Sequence, residues 1–114
     1  MKTSELDEAV AKWLGVEITY DRENGWWETS DPCYAEPNDP HVWSPSTNWA
    51  QGGPIIEREK IELVPSIDGK VWYAESLNRQ ARVERCPTPL IAAMRCYVAS
   101  KHGTTELVLR EIDI

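Results

Sequence analysis

Two turn signals do most to limit what this chain can fold into. Asn24-Gly25 follows Val16, Ile18 and Tyr20, which alternate with Glu17, Thr19 and Asp21, and it precedes Trp26, Trp27 and Thr29. Asp68-Gly69 lies between Ile61-Glu62-Leu63-Val64 and Lys70-Val71-Trp72-Tyr73-Ala74. Asn-Gly and Asp-Gly adopt the left-handed positions of a tight hairpin turn at little cost, and apolar/polar alternation suits a strand with one buried face. A β-hairpin over about Val16 to Thr29 and a second around Asp68-Gly69 follow. Pro65 limits how far the first strand of the second hairpin continues.

Helical spacing brackets these hairpins. Leu6, Val10, Trp13 and Leu14 recur at three and four residues, which makes one apolar stripe and places Trp13 in the core. Ser4 is positioned to cap this helix, Asp7 occupies the capping-box position, and Gly15 can end it. Towards the other end, Thr88 can cap a helix that Pro89 begins and Gly103 terminates. Leu90, Ile91, Met94, Tyr97 and Val98 form its buried stripe, and Lys101 and His102 suit the negative end of its dipole. Leu77 to Arg85 reads as loop or weak helix, and Glu106 to Ile112 as an edge strand or a tail. The expected fold class is α+β: a small antiparallel sheet built from hairpins, covered by two helices, with a long ordered aromatic and proline loop. A chain of 114 residues, 41% hydrophobic, suffices for one core, so residues 1–114 are expected to form a single domain.

That loop runs from Ser30 to Gly53. It holds four of the eight prolines and no periodicity, yet it also carries Tyr34, Trp43 and Trp49, which argues for order by aromatic packing. Pro54, with Glu57 close behind, predicts the start of a short helix. Gly52-Gly53 then reads as a tight turn that points backbone N–H groups at one spot, where an anion can bind.

Charge is uneven. Residues 1–42 hold ten acids against Lys2, Lys12 and Arg22, whereas the remainder is balanced, so the whole formal charge of −7 belongs to the first third. An acidic field repels phosphate backbones and argues against a broad duplex-binding face. Arg79, Arg82, Arg85 and Arg95 form a local exception able to receive a small anion or an acidic partner. No run of apolar residues is long enough to span a bilayer, and no apolar signal region follows the first residues; a cytoplasmic protein is expected.

Motifs for chemistry are sparse. Neither GxGxxG nor GxxxxGK[ST] occurs, and Cys33, His41, Cys86 and Cys96 lack zinc-site spacing, so no metal or cofactor is expected. Three cysteines without a CxxC pair do not make a disulfide scaffold, and Cys96 suits a small helix-face residue better than a nucleophile. His41, in the aromatic loop, is a weak ligand candidate. The six tryptophans, in a chain without phenylalanine, serve either as core bulk or as interface and stacking groups. Arg95, beside the buried stripe, needs a partner: Glu57 or Glu59 as structural ion-pair partners, or a ligand anion.

Two segments carry a family resemblance. Ser44-Pro45-Ser46-Thr47-Asn48-Trp49-Ala50-Gln51-Gly52-Gly53-Pro54-Ile55-Ile56-Glu57 and Pro87-Thr88-Pro89-Leu90-Ile91-Ala92-Ala93-Met94-Arg95-Cys96-Tyr97-Val98-Ala99-Ser100 resemble the signature of the NinX-like family of small tailed-phage and prophage accessory proteins. Lys2 to Ala11 and Val71-Trp72-x-Ala74 fit as well, whereas Glu17 to Pro40 is an acidic, proline-bearing variant. The resemblance implies phage origin and action in the cytoplasm of an infected bacterial host. It supplies no catalytic residues.

Three functional readings follow. The first is a non-catalytic accessory protein that binds a host or phage protein through its acidic first third or exposed tryptophans. The second is capture of a small anionic, nucleotide-like ligand. There Trp43 and Trp49 would stack on a planar group, Asn48 and Gln51 would read its polar edge, and Gly52, Gly53 and Arg95 would hold its anion. The third is a small hydrolase or nucleotide-modifying enzyme. An outward aromatic such as Trp27 is also compatible with a symmetric homodimer.

Overall fold

A computed structural model describes residues 3–35 and 39–102. The run Glu106 to Ile112 and the helix terminator Gly103 lie outside the described residues. The first helix, α1 (Thr3–Leu14), ends before Gly15, whose φ of +77° is the left-handed conformation the sequence reading requires. A strand β1 (Thr19–Asp21) pairs antiparallel with β2 (Trp26–Thr29), and the Asp21 carboxylate accepts from the N–H groups of Glu23 and Asn24 to hold the turn between them. A short strand β3 (His41–Val42) adds to β2, which completes a first sheet ordered β1-β2-β3.

Next comes α2 (Trp49–Glu59), followed by β4 (Glu62–Pro65), β5 (Trp72–Glu75), a 3-10 turn at Leu77–Arg79 and β6 (Arg82–Cys86). These strands form a second antiparallel sheet, β4-β5-β6, in which Leu63, Ala74 and Val83 stand side by side on one face. The chain ends its described course in α3 (Pro89–His102), capped by Thr88, whose Oγ1 accepts from the N–H of Ile91 at 3.1 Å. Among the described residues, no helix is long and apolar enough to cross a membrane.

The expected fold is corrected in two respects. Three helices, not two, accompany the strands, and the hairpins form two separate three-stranded sheets, not one. The physical reason lies in α3. Every residue from Leu90 to Ala99 is buried, because α1, α2 and the second sheet all pack around this helix. Ala92, Ala93, Cys96 and Ala99 occupy the positions outside the expected stripe, and their small side chains let neighbours approach from further sides. A helix buried all round cannot simply lie over one face of a common sheet. Each large side chain fully buried on it, such as Met94 or Tyr97, contributes roughly 1.5–3 kcal/mol through loss of apolar contact with water.

Local expectations also shift. Arg82 to Cys86 is a strand where the sequence left loop or weak helix. Its register slips opposite Tyr73 and Arg85 takes a φ of +59°, so a β-bulge interrupts the apolar/polar alternation that would have announced a strand. Trp13, placed in the core by helical phase, is instead at the surface, with its ring edge-on to His102 at 4.9 Å.

The second helix begins at Trp49, five residues before the proline expected to open it. Asn48 is its N-cap: the side-chain oxygen accepts from the N–H of Ala50 at 2.9 Å. Gly52, Gly53 and Pro54 are therefore helical, against their intrinsic preference. Packing explains Gly52. A Cβ there would sit 2.4 Å from the Pro45 carbonyl oxygen and 2.5 Å from Leu90 Cδ1, so only glycine lets the helix approach both the preceding loop and α3. A Cβ on Gly53 would meet nothing nearer than Trp49 Cε3 at 4.0 Å. Opposite outcomes are expected in urea denaturation: Gly52→Ala loses about 1–3 kcal/mol through overpacking. Gly53→Ala gains up to about 1 kcal/mol from helix propensity.

Candidate functional site

The residues picked out around the middle segment divide into a buried buckle and an exposed rim. Trp43 is sealed in the core and donates its indole N–H to the Asp7 carbonyl at 2.8 Å, while Tyr34 packs edge-on against its ring at 5.0 Å. Gln51 is buried, and both ends of its amide are occupied: Oε1 accepts from the Ser44 N–H, and Nε2 donates to the Val42 carbonyl, each at 2.7 Å. Asn48 is occupied as the helix cap. Its carbonyl also accepts from the N–H groups of Gln51 and Gly52, so the backbone donors anticipated for an anion are engaged within the protein. Trp43, Asn48, Gln51 and Gly52 are thus brought together where the proline-rich segment is fastened to α1, through Trp43, and to α2, through Gln51.

Trp49 faces the other way. It occupies the first turn of α2 with 54% of its surface exposed, and Gly53 lies beneath its ring. Arg95 belongs to another part of the molecule: it is buried on α3, and Nη1 donates to the Cys86 sulfur at 3.2 Å. Its Nε has no hydrogen-bond partner among the described residues. Glu59, expected as its partner, binds Lys101 at 3.0 Å and Arg58 at 3.1 Å instead, and Glu57 is exposed. Burial works to raise the Glu59 pKa, but those two cations outweigh it and hold the carboxyl below its ordinary range.

Other candidates are placed as follows. Arg79 and Arg82 have carboxylate partners in Glu75 at 3.4 Å and Glu84 at 3.3 Å. Cys96 is buried, and that burial, with Glu75 and Cys86 nearby, pushes its thiol up to about 12, so it stays protonated at neutral pH. Among the described residues, no group of three or more His, Cys, Asp or Glu side chains is arranged to hold a metal ion. His41 is exposed in β3.

Several large aromatic side chains are exposed at the surface. Trp26 is 39% exposed, with its indole N–H held by Glu28 at 3.0 Å, and Tyr20, Trp13 and Trp49 are also exposed. Trp27, the neighbour of Trp26, turns inward and donates to the Ser4 carbonyl at 3.1 Å, as strand alternation requires. A broad concavity of about 810 Å³ lies elsewhere, on the second sheet, where Val64, Tyr73, Glu75, Arg82 and Glu84 are among its lining residues.

A family model described as "Bacteriophage P22, NinX" matches residues 1–101, and the chain belongs to that family of phage accessory proteins. No curated protein matches the chain.

One buried group went unread in the sequence. Asp7, expected at the helix start as a capping residue, is 4% exposed, and its Oδ1 accepts from the Ser46 N–H at 2.8 Å. Its position on the core side of α1, one residue after Leu6, is the only sequence signal that could have shown it. Burial raises its pKa from an ordinary 3.8 to about 6, and the bonds from Ser46 offset only part of that rise. With the folded value above the unfolded one, the stabilisation is fully present below about pH 4 and is lost as pH rises through about 6. The shift corresponds to about 3 kcal/mol. Asp7→Asn keeps an acceptor for Ser46 but no charge. Chemical denaturation at pH 4 and pH 7 is expected to show the variant gaining stability over wild type at the higher pH by an amount of that order.

Proposed function

We propose that this chain acts in the infected bacterial cytoplasm as a non-catalytic accessory protein that binds a host or phage protein through the acidic, aromatic-bearing surface of its first half. The observation that carries this reading is the incomplete burial of Trp13, Trp26 and Trp49 in a core that already seals Trp43 and Tyr97. An indole left in water is an unused source of binding free energy, and exposed tryptophans surrounded by polar groups are the side chains that most often anchor interfaces.

The charge beside Trp26 supports a basic partner. Glu17, Asp21, Glu23, Glu28 and Asp31 lie on or beside the first sheet, in the third of the chain that carries the net charge of −7. Such a field favours a partner that presents basic residues around an apolar recess, and it speeds their encounter at low ionic strength. Membership of a phage accessory family supports an intracellular host or phage protein as that partner.

The test is affinity capture from infected cells with wild type, Trp26→Ala and Trp49→Ala, each checked for unchanged circular dichroism and melting. A specific protein retained by wild type and weakened at least roughly tenfold by one of these variants is expected, as for an anchoring aromatic. Capture indifferent to both substitutions would defeat the proposal. A fluorescence change with nucleotides that Trp49→Ala abolishes would favour small-ligand capture instead.

A further inference from the structure

The second sheet has one face against α3 and the other, among the described residues, open to solvent. Leu63, Ala74 and Val83 point to the helix. By strand alternation the opposite face presents Glu62, Glu75 and Arg82 in one cross-strand row, with Val64 paired to Tyr73 in the next. Val64 is 43% exposed, the Arg82 side chain is 59% exposed, and the turn residue Ile67 is fully exposed at the rim.

We propose that this face binds a second copy of the same chain in an isologous, two-fold dimer. Charge order across the sheet argues for that occupant. The row Glu62–Glu75–Arg82 has opposite charges at its two ends, on the two edge strands β4 and β6. Rotation by half a turn about an axis parallel to the strands exchanges those edges, so Glu62 of each copy comes over Arg82 of the other. Glu75, at the centre, meets its own mate, but its carboxylate is already paired with Arg79 within the chain; Arg82 is likewise paired with Glu84, so Glu62 of the other copy adds to an existing ion pair. In the next row Tyr73, on the central strand, meets its own mate, and Val64 comes over the β6 edge of the other copy. The same axis keeps the strands of the two sheets nearly aligned, as face-to-face sheet packing prefers.

Net charge points to the same surface. Two copies of a −7 protein repel through their first thirds, whereas on this face Glu62, Asp68, Glu75 and Glu84 are largely offset by Arg82 and Arg85, with Arg79 paired to Glu75 beside them. Three strands this short present less than the roughly 800 Å² per partner of a standard interface, which makes the dimer a weak one with micromolar-to-millimolar affinity.

Sedimentation equilibrium of the full chain over that concentration range tests the proposal. Wild type is expected to dimerise reversibly. Glu62→Arg and Arg82→Glu, each placing like charges over each other twice per dimer, are expected to weaken association at least roughly tenfold. An equimolar mixture of the two variants restores it, because each contact in the mixed dimer then joins opposite charges. Recovery on mixing distinguishes a lost contact from a damaged fold. A monomer at every concentration, a dimer insensitive to both substitutions, or variants that mixing fails to rescue would overturn the proposal.

Discussion

Complete burial of α3 is the constraint on which the rest of the structure depends. Ten consecutive residues leave water on that helix, and they can do so only if different elements cover different sides of it. One side receives the second sheet, through Leu63, Ala74 and Val83, and others receive α1 and α2. Small residues set the closeness of these approaches: alanines and a cysteine on α3, and on α2 a glycine that a methyl group would force away from Leu90. The two sheets are separate because each is tied to the body by its own contacts, the first through Trp27 and α1, the second through α3.

Polar bonds organise what apolar packing cannot reach. The segment from Val42 to Asn48 has too little regular structure to satisfy its own backbone, and buried peptide groups without partners are costly. Asp7 and Gln51 supply missing partners, Asn48 caps the helix that follows, and the indole of Trp43 anchors the segment from inside. The same residues that look like a recognition set in one dimension are therefore spent on holding the chain to itself. Trp49, at the end of this buckle, is the member left facing solvent.

The surface divides by charge. The first third of the chain carries the acidic excess together with exposed aromatics, and the open face of the second sheet interleaves acids with arginines. Two surfaces of such different character suit two different occupants. The proposed basic partner matches the acidic aromatic surface, and the proposed second copy matches the opposite charges at the edges of the second sheet. The chain belongs to a family of phage accessory proteins.

Sequence patterns alone determined the outer helices, both hairpins and their turns, because those features depend on neighbours within a few residues: caps at Thr88 and Gly15, Gly25 and Gly69 at positive φ, and alternation along β1, β2, β4 and β5. The two long motifs determined the family in the same way. Tertiary structure decided the number of sheets, the close packing of α2 at Gly52, the bulged strand β6, the surface position of Trp13 and the buried carboxyl of Asp7. Each of these rests on contacts between residues far apart in the chain. Pro45 and Leu90 are what require a glycine at position 52, and Ser46 is what gives Asp7 a place in the core. No local propensity encodes a partner that arrives only when the chain has folded.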